Sequence, residues 1–261
     1  MKLRLGVRGM MWLTLVIMMW GIISCRTQEE KCLEEVLSLP LANKEELQKV
    51  LDYYKDDSLK YQAVCFLIRN MPFHAGYEGN ALKHYYQYFD IYAQGKLGPH
   101  EVIDSLKENS FSVSQLKRIE DIANIDSSLL VQNVDWAFKV WREQPWGKNV
   151  SFDNFCEFVL PYRLGDEPLG FWREDIYKRY NPILDSIRLL PQAQDPLVAA
   201  KVLMDSLVVE QSHFTGLFPA GPHLGPSVVS WRAGSCREFA DLVVYVMRAL
   251  GIPCGTDYMA C

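Results

Sequence analysis

The chain has 261 residues, of which 49% are hydrophobic and 23% are charged, and its net charge is −5. This length and composition supply enough apolar residues for the core of one large domain or two smaller ones. The acidic balance and the lack of a basic stripe argue against a nucleic acid as partner. The seven cysteines and five histidines show no zinc-ligand spacing, so neither a metal nor a cofactor is expected.

The N-terminus has the pattern of an export signal. Three basic residues precede an apolar run at 10–23 that is too short to span a bilayer comfortably. The run ends in Ile-Ile-Ser-Cys at Cys25, which resembles the lipobox of bacterial lipoproteins. The resemblance implies that 1–24 are removed as a signal peptide. A lipid on Cys25 then anchors the protein to the outer membrane of the cell envelope, facing the periplasm or the outside. An uncleaved N-terminal anchor is the alternative. The basic residues are Lys2, Arg4 and Arg8.

Residues 25–147 are predicted to form an α-helical domain, because helical periodicity is frequent there and strand-type alternation is scarce. Asn43 and Glu46 have the spacing of a capping box before a helix. The apolar face of that helix is Leu47, Val50, Leu51 and Tyr54. Further helices are predicted at 59–69, at 85–92, from Pro99 onward, at 112–123 and at 127–143. Cys65 and Cys156 lie in apolar helical contexts and are expected in the core.

Residues 148–190 are predicted to be a packed connector, because they are rich in proline and carry too many aromatic residues for a flexible linker. We expect its aromatic residues to pack at a seam between domains, and the alternative is that they line a groove. Helices are predicted to resume at 183–190 and at 196–210. A loop rich in glycine and proline follows at 212–230.

The most informative stretch surrounds Cys236. Ser235 and Glu238 form a capping box, so a helix is predicted to start there, and Gly251 is predicted to end it. Cys236 then lies in the first turn, where the helix dipole favours a thiolate over a thiol. Gly234 lets the backbone come close to whatever the sulfur attacks. The stripe of apolar residues on this helix is Phe239, Leu242, Val243, Val246, Met247 and Leu250.

This stretch resembles the transglutaminase-like family of papain-type thiol enzymes. The resemblance implies an α+β fold. In it, the helical N-terminal domain is followed at 191–261 by the start of a transglutaminase-like (cysteine-proteinase) core, and the span given is mostly α. It also implies that Cys236 attacks the carbonyl of a protein or peptide substrate, with hydrolysis and acyl transfer both left open. The matching residues are Arg232, Gly234, Cys236 and Ala240, then Arg-Ala-Leu-Gly-Ile-Pro at 248–253.

In that family a His follows the cysteine on a strand, and an Asp or Asn comes after it. No His occurs at 237–261, so these partners are expected beyond Cys261 and the 261-residue chain is expected to be inactive by itself. The family's covering sheet also follows the helix. We therefore expect the apolar stripe to lack cover in this chain. The chain is then expected to be either a fragment of a longer protein or poorly folded beyond about Gln211.

Several other residues near Cys236 have two interpretations. His213 and His223 precede the cysteine and are minor candidates for its base, since spatial geometry matters more than chain order. Trp231 either walls the acyl site or packs beside the helix. Asp241 is predicted on the solvated face of the helix. The remaining histidines, His74, His84 and His100, are expected to be surface or satisfied core residues.

Two other functions remain open from the sequence. The chain could be a non-catalytic surface lipoprotein that binds a polymer through its helical domain and aromatic connector. It could also be an inactive truncated product.

The lipobox makes one prediction that needs no structure. In a Gram-negative host fed labelled palmitate, the wild-type protein should incorporate label and the Cys25→Ala variant should not. Equal incorporation by both proteins would contradict lipidation at Cys25.

Overall fold

The structure is a computed structural model that describes residues 28–105, 111–209, 213–214 and 221–257. The predicted signal peptide and Cys25 lie outside the described residues. In the described parts of the chain, no helix combines the length and apolarity that crossing a membrane requires.

The described residues are mostly α-helical, as predicted. The helices are α1 (Gln28–Leu37), α2 (Lys44–Tyr53), α3 (Ser58–Asn70), α4 (Asn80–Ala93), α5 (Pro99–Ser105), α6 (Asp121–Asn124), α7 (Ser127–Glu143), α8 (Phe152–Phe158), α9 (Arg173–Tyr180), α10 (Pro196–Val209), α11 (Val228–Trp231) and α12 (Cys236–Ala249). Short 3₁₀ turns lie between them at Met71–Phe73, Val113–Gln115, Pro145–Asn149, Asn181–Leu184, Pro191–Gln194 and Gly225–Ser227.

Two small sheets complete the fold. Strand β1 (Ala75–Glu78) pairs antiparallel with β2 (Lys117–Glu120). Strand β3 (His213–Phe214) pairs in parallel with β4 (Ala233–Gly234). The second pair lies directly before α12, so it helps to set where that helix begins.

The helix predicted at 112–123 is wrong. The segment forms a 3₁₀ turn, strand β2 and the start of α6, because its backbone pairs with β1, about forty residues earlier in the chain. Tertiary pairing of this kind overrides local helical periodicity.

The helix predicted at 183–190 is also wrong. The backbone there turns through bonds of the 3₁₀ type, from Ile187 N–H to Leu184 O and from Leu190 N–H to Ile187 O. Pro191 follows, and a proline disfavours the helical conformation in the residue before it.

The buried side chains form two clusters. The N-terminal core draws mainly on α1, α2, α3, α7 and α8, and the C-terminal core on α4, α9, α10, α11 and α12. Tyr85 and Phe89 belong to the C-terminal core, and Phe155 belongs to the N-terminal core. Packing therefore crosses the domain boundaries predicted at 147 and 190, which stay predictions.

The apolar stripe of α12 is covered, contrary to expectation. Leu242, Val246, Met247 and Leu250 are all buried. The cover comes from α7, α9, α10 and α11, which precede α12 in the chain, and the described residues after α12 form no strand. The expectation that this stripe lacks cover was wrong, because it looked for cover only downstream. Poor folding beyond Gln211 stays a prediction.

The end of α12 is also well defined. Gly251 has a φ of 75°, a left-handed conformation that glycine adopts without strain. Its N–H bonds to Arg248 O, and the N–H of Ile252 bonds to Met247 O, which together make a Schellman motif. The predicted glycine stop is confirmed.

Because the apolar stripe of α12 is buried, shortening one of its side chains should lower the free energy of unfolding substantially. Leu242→Ala, at a side chain with 0% exposure, should lower the free energy of unfolding by about 2–5 kcal/mol in urea titrations. Leu197→Ala is the matched control, because this helical leucine is 74% exposed and its loss removes little packing. Similar small losses for both variants would contradict the packing of α12.

Candidate functional site

The N-terminus of α12 is fixed by the predicted capping box. Ser235 Oγ accepts the Arg237 N–H at 3.2 Å, and Glu238 Oε2 accepts the Ser235 N–H at 2.7 Å. Burial raises the pKa of the Glu238 carboxyl, but hydrogen bonds from Ser235 and the charge of Arg237 outweigh it and hold this pKa below its usual value. The first turn is therefore held in one geometry around Cys236.

Cys236 is the first residue of α12 and is exposed. The other cysteines of the described chain are less accessible. Cys65 and Cys156 are buried in the N-terminal core, as predicted, and burial raises the pKa of the Cys156 thiol to about 12. Cys32 and Cys254 are half-buried. Among the described thiols, Cys236 is therefore the one best placed to meet a substrate.

Gly234 is required by the cap itself. Its φ is 136°, and a Cβ at this position would lie 2.5 Å from the Cβ and Cγ of Glu238. The space beside its α-carbon is thus occupied by the capping side chain. A role for Gly234 in substrate approach stays a prediction.

Trp231 packs on α4. Its Nε1–H donates to Asp90 Oδ1 at 2.9 Å, and its ring lies 5.2 Å from the ring of Tyr86 and stacks on Phe89 at 5.9 Å. The indole is only partly buried. Its contacts with α4 favour the packing interpretation over a wall of the acyl site.

Asp241 does not lie on a solvated face, contrary to prediction. It is 1% exposed, and its Oδ2 accepts a hydrogen bond from His223 Nδ1 at 2.8 Å. The His223 N–H also donates to Asp166 Oδ1 at 2.8 Å. The segment that begins at Gly221 therefore crosses this side of α12 and covers it. Periodicity identifies the polar side of a helix, but not what packs on that side.

The His223–Asp241 pair lies away from the thiol. Asp241 follows Cys236 by five residues, which places it about 140° around the helix and about 7.5 Å along it. A Cβ on Gly165 would lie 2.3 Å from His223 Cδ2 and 2.6 Å from Nε2, so the imidazole ring packs against the connector. In this arrangement His223 is not positioned as the base for Cys236.

The other histidines belong to different segments of the described chain. His213 lies in β3, where its backbone pairs with Ala233. His100 is exposed, and His74 and His84 are half-buried.

A buried carboxylate on the connector, missed from the sequence, lies on the same side of α12. Glu167 Oε1 accepts hydrogen bonds from the Tyr245 hydroxyl and from the Leu164 N–H, both at 2.6 Å. Its Oε2 accepts the Gly165 N–H at 2.8 Å. These bonds, with Arg163 nearby, outweigh burial and keep the pKa of the Glu167 carboxyl below its usual value. The only sequence signal was a Glu inside an aromatic connector, which does not distinguish a buried acid from an exposed one.

No protein-family model, curated protein or solved structure matches the chain. Within the described residues, no group of three or more His, Cys, Asp or Glu side chains is arranged to hold a metal ion.

The His223–Asp241 pair predicts a pH dependence of stability. The bond to Asp241 outweighs burial and raises the pKa of His223 above 6.5. Its stabilising effect is therefore complete below pH 6.5 and is lost as the pH rises through the folded-state pKa. The wild-type unfolding free energy should therefore fall as the pH rises above 6.5.

The control for this prediction is the double variant His223→Gln/Asp241→Asn, which keeps a hydrogen bond but removes both titrations. Its unfolding free energy should change less over the same pH range, measured by urea titration. In the single variant Asp241→Asn the fall above pH 6.5 should disappear, because the bond that raises the pKa of His223 is lost. Equal slopes for the wild type and the double variant would contradict the pair.

Proposed function

We propose that Cys236 is the nucleophile of a thiol-dependent acyl transfer or amide hydrolysis, carried out by an exported lipoprotein with a transglutaminase-like C-terminal domain. The observation that carries the proposal is the exposed thiol at the first residue of a fully capped, 14-residue helix. Capping by Ser235 and Glu238 holds the sulfur at the positive end of the helix dipole.

The helix start also supplies a donor for the oxyanion. As the first helical residue, Cys236 has a backbone N–H without an acceptor inside the helix. Such a group donates to the carbonyl oxygen as negative charge develops on it. Nucleophile and donor then belong to one residue, so the capping box positions both.

The proposed reaction has two stages. The Cys236 thiolate attacks the carbonyl carbon of a carboxamide or peptide, and a C–S bond forms. Collapse of the oxyanion breaks the C–N bond, and the amine leaves with a proton. Water or a second amine then attacks the thioester, and the C–S bond breaks. In the family that the sequence resembles, the proton is carried by a His that follows the nucleophile in the chain. His223 precedes Cys236, and its ring is bonded to Asp241, so it is not assigned this role.

A second candidate is the non-catalytic binding lipoprotein. The observation that favours it is a cavity of about 340 Å³ beside Phe171, a connector aromatic that is 54% exposed. Asp175, Ser227 and Ser230 supply polar groups to the same cavity. An aromatic face with flanking hydroxyl and carboxylate groups suits a polymer with both apolar and hydroxylated surfaces. Loss of polymer binding in Phe171→Ala, with no change in Cys236→Ser, would favour this candidate.

The reactive-thiol proposal is tested by site-resolved alkylation. The native protein is treated with iodoacetamide at neutral pH, and each cysteine is followed by mass spectrometry. Cys236 should react about tenfold or more faster than Cys254, whose thiol pKa is raised by burial. Ser235→Ala should slow Cys236 selectively, because it removes the hydroxyl that caps the helix.

Cys65 and Cys156 are internal references, since both are buried and should stay unlabelled while the protein is folded. If either one reacts as readily as Cys236, the argument from the helix terminus fails.

A further inference from the structure

A second site lies at the other end of α12. A cavity of about 240 Å³ is enclosed by the C-terminal part of α3, the connector and Arg248. A water molecule in the liquid occupies about 30 Å³, so the cavity has room for a small polyatomic ion with a few waters. Its polar lining is formed by Asn70, His74, Tyr162, Arg163 and Arg248, with the exposed Glu157.

Two buried guanidinium groups, those of Arg163 and Arg248, line the cavity, and the carboxylates of Glu157 and Glu167 act on Arg248 from beyond ion-pair distance. Arg163 Nε lies 2.9 Å from Asp121 Oδ2, so this guanidinium has one carboxylate partner. Arg248 is 8% exposed and has no carboxylate partner among the described ion pairs. It donates from Nε to Phe158 O at 3.2 Å and from Nη1 to Arg163 O at 2.9 Å. Carbonyl oxygens satisfy its donors in part, but they do not neutralise its charge.

Behind Arg248 lies another buried cation. Arg173 Nη1 donates to Arg248 O at 3.1 Å, and the other described partners of Arg173 are neutral oxygens. Burial and the charge of Arg248 lower the pKa of Arg173 well below its usual range. Among the described residues, neither Arg173 nor Arg248 has a carboxylate within ion-pair distance, so two guanidinium groups lie side by side behind the cavity with only more distant compensation from Glu167 and Glu157.

His74 is the titratable group in this lining. Its ring makes no hydrogen bond to a described residue, and it lies 6.0 Å from the ring of Tyr162. Burial, then the charges of Arg163 and Arg248, lower the pKa of His74, while Glu167 raises it. The imidazole is therefore neutral near pH 7, and an anion in the cavity would favour its protonation.

We propose that this cavity binds a small oxyanion, a phosphate or sulfate group that is either free or the end of a larger molecule. The guanidinium groups of Arg248 and Arg163 hold its charge, and Asn70 and His74 donate to its oxygens. The inference does not depend on the reactivity of Cys236. Arg248 follows Cys236 by twelve residues, which is about 18 Å along the helix.

The test is calorimetric titration of the folded chain with sodium sulfate at constant ionic strength. Saturable binding is expected, and Arg248→Gln should weaken it about tenfold or more. Arg69→Gln is the matched control. It removes the same charge from an arginine that lines a neighbouring cavity and pairs with Glu29, so the affinity for sulfate should not change.

The pH dependence gives a second readout. Sulfate keeps its charge over this range, so a tighter complex at about pH 5.5 than at about pH 7.5 reports protonation of the protein. The variant His74→Gln should still bind sulfate at the higher pH, but its affinity for sulfate should not increase at the lower pH. If Arg248→Gln does not fold, His74→Gln and Asn70→Ala decide the question.

Comparison of inorganic phosphate with a phosphate monoester assigns the source of the anion. Tighter binding of the ester indicates a larger ligand, and equal binding indicates the free ion. Absence of saturable sulfate binding, or equal weakening by Arg248→Gln and Arg69→Gln, would overturn the proposal.

Discussion

One buried guanidinium joins the parts of the described structure. Arg173, at the start of α9, donates to Asn133 Oδ1 of α7 at 2.6 Å and to Arg248 O of α12 at 3.1 Å. It also donates to the connector carbonyls of Val159 at 2.6 Å and Leu160 at 3.0 Å. The planar donor fork of arginine suits such a role, because five N–H groups are presented in fixed directions. Loss of this side chain would leave Asn133 Oδ1 and Val159 O without a described donor, each at a cost of about 1–3 kcal/mol.

The connector takes its shape from these bonds. Several of its backbone carbonyls accept hydrogen bonds from buried side chains. Arg248 donates to the carbonyl oxygens of Phe158 and Arg163, and Trp172 Nε1 donates to Tyr162 O at 2.9 Å. The side chains of Tyr162 and Arg163 reach instead to Asp121, next to strand β2. Burial raises the pKa of the Asp121 carboxyl to about 6, although both partners oppose the shift. The connector, whose aromatic residues were expected to pack at a domain seam, thus also contains a buried network of hydrogen bonds and ion pairs.

The sequence predicted those elements whose signals are local. Both ends of α12 were predictable because the Ser235 cap and the Gly251 stop lie within the residues that form the helix. Helix α7 was predicted with its observed bounds for the same reason. Strand β2 was not predictable, because its hydrogen-bond partner Gly76 lies more than forty residues from Ile119. Local patterns carry no information about pairing over such distances.

The candidate site shows the same division. Cys236 and its cap were predictable from spacing, but the partner of Asp241 was not. An acid at that position has the same helical periodicity whether water or His223 faces it. The cover of Leu242 by α9, α10 and α11 was missed for a similar reason, since an apolar stripe shows that a partner exists but not which one.

The first turn of α12 carries two charged side chains, Glu238 and Arg237, next to the thiol of Cys236. Glu238 places a buried negative charge two residues from Cys236, within the first turn where the positive end of the helix dipole lies. Arg237 lies between them, and its guanidinium nitrogens Nε and Nη2 are 2.7 and 2.5 Å from Glu238 Oε1. The same guanidinium donates to Gly221 O at 2.8 Å, so it cannot swing toward the sulfur without breaking bonds. Arg237 therefore neutralises the charge of Glu238 within the cap, and the positive end of the helix dipole is left facing Cys236.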